Sequence, residues 1–510
     1  MIWHAHFLGK VLLAWQGAVA FDVLANLLLA GLCYWPLARY RHHLWRQLLA
    51  SALAVLLLVH EGTLPPWSRW PELLRLVSGF SLLYWMELLQ RFVNTVAGVL
   101  LVALLGALWL ASRKYRLEPW IVVSVASLAV PALLASALRP AATEQEEAVS
   151  VEPPTLTQFQ QAQSNLRMTQ LAFASEFTPD LVLLHVCSLS WDDMRHIGMT
   201  DRQFVQLFDV VLGQFNSATS YSGPAMLRLV NSTCGQATHD QLYGPPRTQC
   251  NLLQALSQAG YDMQVWLNHS GQFDAFGQSL QAQSPVRVQT AVDFPDVDKR
   301  MQAFDGSELV DDEALLLHWW QGHQPLGPVR ALYYNTISLH DGNRSLPAEG
   351  GKALSYAPRL EGLFGAVRKL LDKARQSRRG LLLVFVPEHG AALRPQGLEL
   401  GGLRNTPWPT ITHVPVGLVM VSANTEAPRA MVVKTPSSYL SLSTVLGQTL
   451  STRKPQDELP AAAHQLSPTP WIADNGDRLV AWHHEQTWML NAQDKWEVKA
   501  GIRALTPAQP

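Results

Sequence analysis

A chain of 510 residues is too long for one ordinary domain and leaves room for a membrane region beside a large folded unit. Apolar residues make up 48% of it and charged residues 15%, against roughly 25% in soluble proteins, and the shortfall is concentrated before residue 140. The net charge of −1 argues against an electrostatic partner, so no nucleic acid is expected.

The first apolar run is followed by no small-residue cleavage site, so no cleaved signal peptide is expected. A spanning helix takes about 20 mostly apolar residues, and residues 17–37, 45–61 and 93–112 qualify. Residues 119–138 form a fourth candidate, because Pro131 is tolerated in a membrane helix. Residues 67–90 mix Arg69, Glu72, Arg75 and Glu87 with Trp67, Trp70 and Trp85, which suits a helix lying in the membrane interface. Arg39, Arg41 and Arg46 mark one cytoplasmic loop, and Arg113, Lys114 and Arg116 another. Four spans satisfy both loops and five do not, so residue 140 is expected to emerge outside the cytoplasm. The expected organisation is a membrane region over 1–140, a linker over 141–165 rich in Pro and Glu, and an extracytoplasmic domain over 166–510.

In that domain, short apolar runs alternate with amphipathic stretches. Strands are predicted at Leu181–Val186, Met263–Leu267, Arg330–Asn335, Leu381–Val386 and Val416–Val421, and helices at 201–214, 248–259, 311–320, 358–376 and 437–450. This alternation predicts an α/β fold with a mainly parallel sheet covered on both faces. The tail, with strands at Leu479–Trp482, Thr487–Leu490 and Lys495–Val498, is predicted as an edge addition. Its His483-His484-Glu485 cluster reads as a surface strand and turn, since adjacent strand residues face opposite ways.

Ligands of parallel sheets gather beyond the carboxyl ends of the strands. Cys187 stands where the first strand stops, Glu388-His389-Gly390 follows the fourth, and His340 lies just beyond the third. Pro224 suits the first turn of a helix, which puts Ser222 at or near the N-cap, where free N–H groups favour an anion. Taken singly, each has a plain structural reading: a buried cysteine, a solvated loop pair, an ordinary capping serine. Together, a thiolate, a carboxylate and an imidazole supply three zinc ligand types with a fourth position open to Ser222. Zinc lowers the pKa of a bound hydroxyl, which makes a nucleophile near neutral pH. His340 is then available to bind a phosphate oxygen or to protonate a leaving alkoxide.

Five segments carry a family resemblance: V-C-S-L-S-W at 186–191, N-S-A-T-S-Y-S-G-P-A at 216–225, S-L-H-D-G-N at 338–343, P-E-H-G at 387–390 and T-H-V-P-V-G at 412–417. They resemble the alkaline phosphatase superfamily and, within it, the membrane-bound phosphoethanolamine transferases, most closely the bacterial cellulose branch. Lipid A phosphoethanolamine transferases have an acidic residue where Cys187 stands, Thr for Ser222 and Asp-His for Glu388-His389. The resemblance implies that Cys187, Ser222, Glu388 and His389 surround Zn2+ and that Ser222 carries the covalent phosphoethanolamine. It implies that Tyr221, His340 and Arg404 face the substrate, an arginine being suited to phosphate oxygens. It further implies a Cys234–Cys250 disulfide, with Cys187 left unpaired. The implied donor is phosphatidylethanolamine, and the acceptor the glucosyl 6-hydroxyls of cellulose. The setting is the bacterial inner membrane, with the C-terminal domain in the periplasm and cellulose synthase complex subunits as partners. Other readings keep the chemistry but change the acceptor to another envelope glycan or lipid A. A phosphodiesterase or sulfatase-like hydrolase is disfavoured by the absence of a C/S-x-P-x-R motif, and a structural subunit with a degenerate site is the remaining alternative.

Overall fold

The computed structural model describes residues 22–34, 40–61, 78–92, 152–168 and, with short interruptions, 178–502, besides a few residues before 11. The chain divides into two compact units, Met1–Ser78 with Leu82–Ser150, and Gly79–Ser81 with Val151–Pro510.

In the first unit, α1 (Val23–Tyr34) and α2 (Tyr40–Glu61) lie at two of the expected spans. They bury Leu29, Ala30, Cys33, Ala50 and Ala54 together with Trp3 and Phe7. Among the described residues no helix is long and apolar enough to cross a membrane. The expected spans 93–112 and 119–138 lie outside the described residues. Of the expected interfacial helix only the part from residue 78 is described. There α3 (Leu82–Phe92) leaves Leu82, Leu83, Trp85 and Met86 exposed.

In the second unit, all five predicted strands form, each extended by one to three residues at one or both ends. The strands are β1 (Asp180–Cys187), β2 (Val210–Asn216), β3 (Asp262–Leu267), β4 (Val288–Gln289), β5 (Arg330–Thr336), β6 (Leu381–His389), β7 (His413–Val421) and β8 (Met431–Val433). They make one sheet in the order β8-β2-β7-β6-β1-β5-β3-β4. Every residue of β1, β6 and β7 is buried, as strands covered on both faces must be. Alternation splits them between two cores: Leu181 and Leu183 pack on one side, Val182 and Leu184 on the other. On the first face lie α5 (Ser222–Val230) and α8 (Tyr439–Leu450); on the second lie α6 (Asp312–Gln321) and α7 (Tyr356–Arg375). Between α3 and α5 in the chain comes α4 (Leu156–Ser164).

Two expectations are corrected and two are sharpened. Residues 201–214 are not one helix. They divide into a short helix, Asp201–Val205, and strand β2, whose Val-Val-Leu run is buried on both faces and favours extended backbone. The sheet is mainly parallel as expected, with one exception: β7 runs antiparallel to both β2 and β6. The tail is a sheet of its own, an antiparallel meander of β9 (Trp471–Asp474), β10 (Leu479–His483), β11 (Gln486–Leu490) and β12 (Trp496–Val498). The region read as linker ends in helix α4, started by a Thr155–Gln158 capping box, and Phe159 from it packs with Ile472, Trp488 and Trp496. The His484-Glu485 pair forms the β10–β11 turn with positive φ at both residues, as a surface turn requires.

One buried group makes the fold sensitive to acid. His413, at the start of β7, donates from Nε2 to the carbonyl of Gly213 at 2.7 Å and packs between Trp191 and Trp471. Burial, chiefly, pushes its pKa down to about 3. The unfolded chain therefore binds the extra proton between its ordinary value near 6.5 and that depressed value. The stabilising contribution is complete above about pH 6.5 and is lost as the pH falls from there towards about 3. On lowering the pH from 7 to 5, chemical denaturation is expected to show about 2 kcal/mol lost to this residue. His413→Gln should remove that share of the slope; an unchanged pH dependence in the variant would contradict it.

Candidate active site

Parallel strands β1 and β6 run side by side, with Leu184 opposite Phe385 and Cys187 opposite His389 across a register shift. The two strand ends are held together by Asp193. Its carboxylate accepts the Ser190 amide and hydroxyl on the β1 side and the Ala391 and Leu393 amides on the β6 side. Gly390 is needed at this junction, since a Cβ there would stand 2.8 Å from the Ser190 hydroxyl and 2.9 Å from Asp193 Oδ2. Thus β6 delivers Glu388 and His389 beside Cys187.

Ser222 arrives by a short loop from β2, which β7 separates from β6. It is the first residue of α5, with Tyr221 as the cap residue, and no side chain caps this helix. The serine is therefore not an ordinary capping residue. Its Oγ lies 3.3 Å from Cys187 Sγ, to which it donates, and 3.2 Å from His389 Nε2. His389 Nδ1 donates to the carbonyl of Gly390 at 2.9 Å, which leaves Nε2 as the lone-pair nitrogen facing Ser222 and Cys187. Glu388 Oε2 lies 3.8 Å from that nitrogen. Metal-ligating atoms of Cys187, Glu388 and His389 all lie within 4.8 Å of one another, and all three residues are buried.

The electrostatics of this pocket call for a cation. Burial, followed by the Glu388 carboxylate, pushes the Cys187 thiol up to about 12. Burial likewise raises the Glu388 carboxyl, against the pull of Ser222, Asn335, Cys187 and Arg404. His389 is driven well down by burial and then by Arg404. Glu388 Oε2 is buried without a hydrogen-bond partner. An orphaned carboxylate oxygen beside a thiol and an imidazole lone pair is a mixed O, S, N donor set of the kind zinc takes. The donor set therefore fits the metal.

Arg404 Nη1 donates to Ser188 Oγ at 3.1 Å and stands 3.2 Å from His389 Nδ1, the edge of the site opposite the lone pair. The Tyr221 hydroxyl donates to Asn405 Oδ1 at 3.1 Å, joining the Ser222 loop to the Arg404 loop. His340 is lowered to about 3 by burial, with Arg404 the next cause, and its ring stacks on Phe304 with 4.2 Å between centroids. Its Nδ1 donates to the Asp341 carbonyl at 2.7 Å, so Nε2 is an acceptor. A neutral imidazole with that tautomer can accept a hydrogen bond at Nε2 and carries no proton there to give a leaving alkoxide. Cys234 and Cys250 are disulfide-bonded, and Cys187 is unpaired.

Two supporting residues escaped the sequence reading. Asn335, next to last in β5, donates to Glu388; a polar residue ending the Ala-Leu-Tyr-Tyr run was a usable signal. Asn475, just past β9, accepts from Thr219 Oγ1 at 2.9 Å and the Ser220 amide at 3.1 Å, and donates to Ser220 Oγ at 2.7 Å and the Asn405 carbonyl at 3.1 Å. Its Asn-Gly sequence reads as a turn and gives no hint of that role.

The fold and pocket define an α/β protein with, among the described residues, a single candidate metal centre and a helix-start serine beside it. By sequence the chain belongs to the BcsG family: residues 137–496 match the C-terminal domain of cellulose biosynthesis protein BcsG, and residues 3–130 match its N-terminal domain. It is 30% identical to the cellulose biosynthesis protein BcsG of Escherichia coli K12 over 96% of this chain and 95% of that protein. Among solved structures it is similar to an alkaline phosphatase superfamily protein from Vibrio parahaemolyticus, at 12% identity, 66% and 85% coverage of the two chains and a TM-score of 0.45. It is also similar to the C-terminal periplasmic domain of E. coli EptC in complex with Zn, at 14% identity, 62% and 96% coverage and a TM-score of 0.39.

Proposed function

We propose that this protein is a zinc-dependent phosphoethanolamine transferase that moves phosphoethanolamine from phosphatidylethanolamine to the glucosyl 6-hydroxyls of cellulose. The observation that carries this reading is the meeting of Ser222 Oγ with Cys187 and His389, at 3.3 Å and 3.2 Å, beside the orphaned Glu388 oxygen. Family membership supports the cellulose acceptor and the synthase complex as partner.

Cys187, Glu388 and His389 would hold the zinc, with Ser222 at the fourth position. When bound, zinc supplies a Lewis acid that favours the ionised form of the serine and of Cys187. Ser222 Oγ attacks the phosphorus of the donor; the bond to the diacylglycerol oxygen breaks, and that oxygen leaves as a hydroxyl with the proton the serine gave up. Phosphoethanolamine is then esterified to Ser222. The attacking glucosyl hydroxyl, hydrogen-bonded to His340 Nε2, bonds to phosphorus as the Ser222–phosphorus bond breaks, and the proton it gives up passes to the departing serine oxygen. The α5 N-terminus and Arg404 face the phosphoryl charge, which is stabilisation by pre-placed donors. A lipid donor gives the expected membrane region over 1–140 its use: it keeps the catalytic domain at the bilayer, on the periplasmic side of the inner membrane.

Solid-state NMR of cellulose from producing cells tests the acceptor. Cells carrying the gene should show ethanolamine carbons and a phosphate ester on the glucan, and cells lacking it should show neither. Unmodified cellulose in both would refute the acceptor while leaving the site chemistry to be tested on the purified protein.

A further inference from the structure

Glu388 does not take up its position alone. Its strand, β6, is separated from β5 by β1, yet Asn335 of β5 reaches across: Nδ2 donates to Glu388 Oε1 at 2.6 Å and contacts the His185 carbonyl of the intervening strand at 3.3 Å. The register makes this possible, because Asn335 stands opposite His185, which stands opposite Val386, two residues before Glu388. On its other side Asn335 faces β3, whose last residue Leu267 is its register partner. There Asn335 Oδ1 meets His269 Nε2 at 2.9 Å.

The direction of each bond in this row follows from its far end. The Gly271 amide donates to His269 Nδ1 at 3.2 Å, so that nitrogen is an acceptor and the ring proton sits on Nε2. His269 Nε2 therefore donates to Asn335, which fixes the amide with its oxygen towards β3 and its nitrogen towards Glu388. Asn335 is fully buried and His269 nearly so, which leaves water no part in the row. Glu388 is thereby engaged through Oε1 and turned so that Oε2, the oxygen without a partner, faces Cys187 and His389.

We infer that Asn335, oriented by His269, is a positioning residue that sets the geometry of the Glu388 carboxylate for zinc; this rests on the zinc reading above. Neither residue is placed in contact with substrate. An outer partner that aims a metal-ligating carboxylate is typically worth about 10–100-fold in metal affinity. The amide suits the task because it donates to one side and accepts from the other without bringing a charge into the sheet.

The test uses the full-length chain in detergent, titrated with zinc against a chromophoric chelator, with thermal unfolding measured in EDTA and in zinc. Asn335→Asp keeps the shape but sets an acceptor against Glu388, and its zinc affinity is expected to fall about 10–100-fold. Asn335→Leu should fall similarly, and His269→Phe less, since the amide then loses its orientation but keeps its donor. In each variant the stabilisation conferred by zinc should shrink more than the metal-free melting temperature does. Wild-type zinc affinity in Asn335→Asp, or a fall in metal-free stability alone, would overturn the inference while leaving the zinc reading intact. A wild-type chain that binds no zinc would overturn both. If Asn335→Asp does not fold, His269→Phe decides the matter by the same readout.

Discussion

Ser222→Ala is expected to abolish phosphoethanolamine transfer, with a rate loss on the order of 10⁶-fold, the scale seen when a covalent nucleophile is removed. The reason is geometric. Ser222 is the one hydroxyl at the start of α5 that touches both Cys187 and His389. The wild-type protein, incubated with phosphatidylethanolamine and no acceptor, should yield a peptide containing Ser222 with the mass of one added phosphoethanolamine. The alanine variant should yield none, while still binding zinc through the remaining three ligands. Near wild-type transfer by Ser222→Ala would eliminate the covalent scheme.

The second large effect is expected at the metal ligands. Cys187→Ala and Glu388→Ala should each lower zinc affinity by more than the roughly 100-fold upper range for outer-sphere residues, and transfer should fall with it. Chelation of the wild-type protein should have the same consequence, reversed by adding zinc back. Cys187→Asp is the informative partner: it restores an anionic ligand of the kind the lipid A enzymes use, and should recover part of the metal that Cys187→Ala loses. Elemental analysis of the purified chain reads all four cases. Stoichiometric zinc in Cys187→Ala would remove the thiol from the ligand set.

The parts of this architecture legible in the sequence were those with a local cause. Wholly apolar runs such as Leu381–Val386 announced strands buried on both faces, and polar residues at their carboxyl ends marked Cys187, Glu388 and His389. The direction of β7 was not legible, because an apolar run does not say which way it travels; only its pairing with β2 and β6 does. Residues 201–214 misled because their apolar positions satisfy a helical spacing as well as they satisfy a buried strand. Family resemblance, not spacing, brought Arg404 and the Cys234–Cys250 pair into view. Asn335 and Asn475 act through partners far away in sequence; the polar end of an apolar run hints at the first, while nothing local sets the second apart from a turn residue.

The bonds of Asn475 bear on when the site comes into being during synthesis. Cys187, Ser222, Glu388 and His389, the proposed metal set, have all been made by the time the ribosome reaches His389, yet the loop carrying Ser222 is also pinned to the loop carrying Arg404 by a side chain 86 positions later (475 − 389). A nascent chain that stopped short of Trp471 would hold its ligands and lack the pin. Asn475 therefore reinforces the Tyr221–Asn405 bond only once the C-terminal meander has been made, and a chain cut before Trp471 is expected to hold the Ser222 loop less firmly while keeping Cys187, Glu388 and His389.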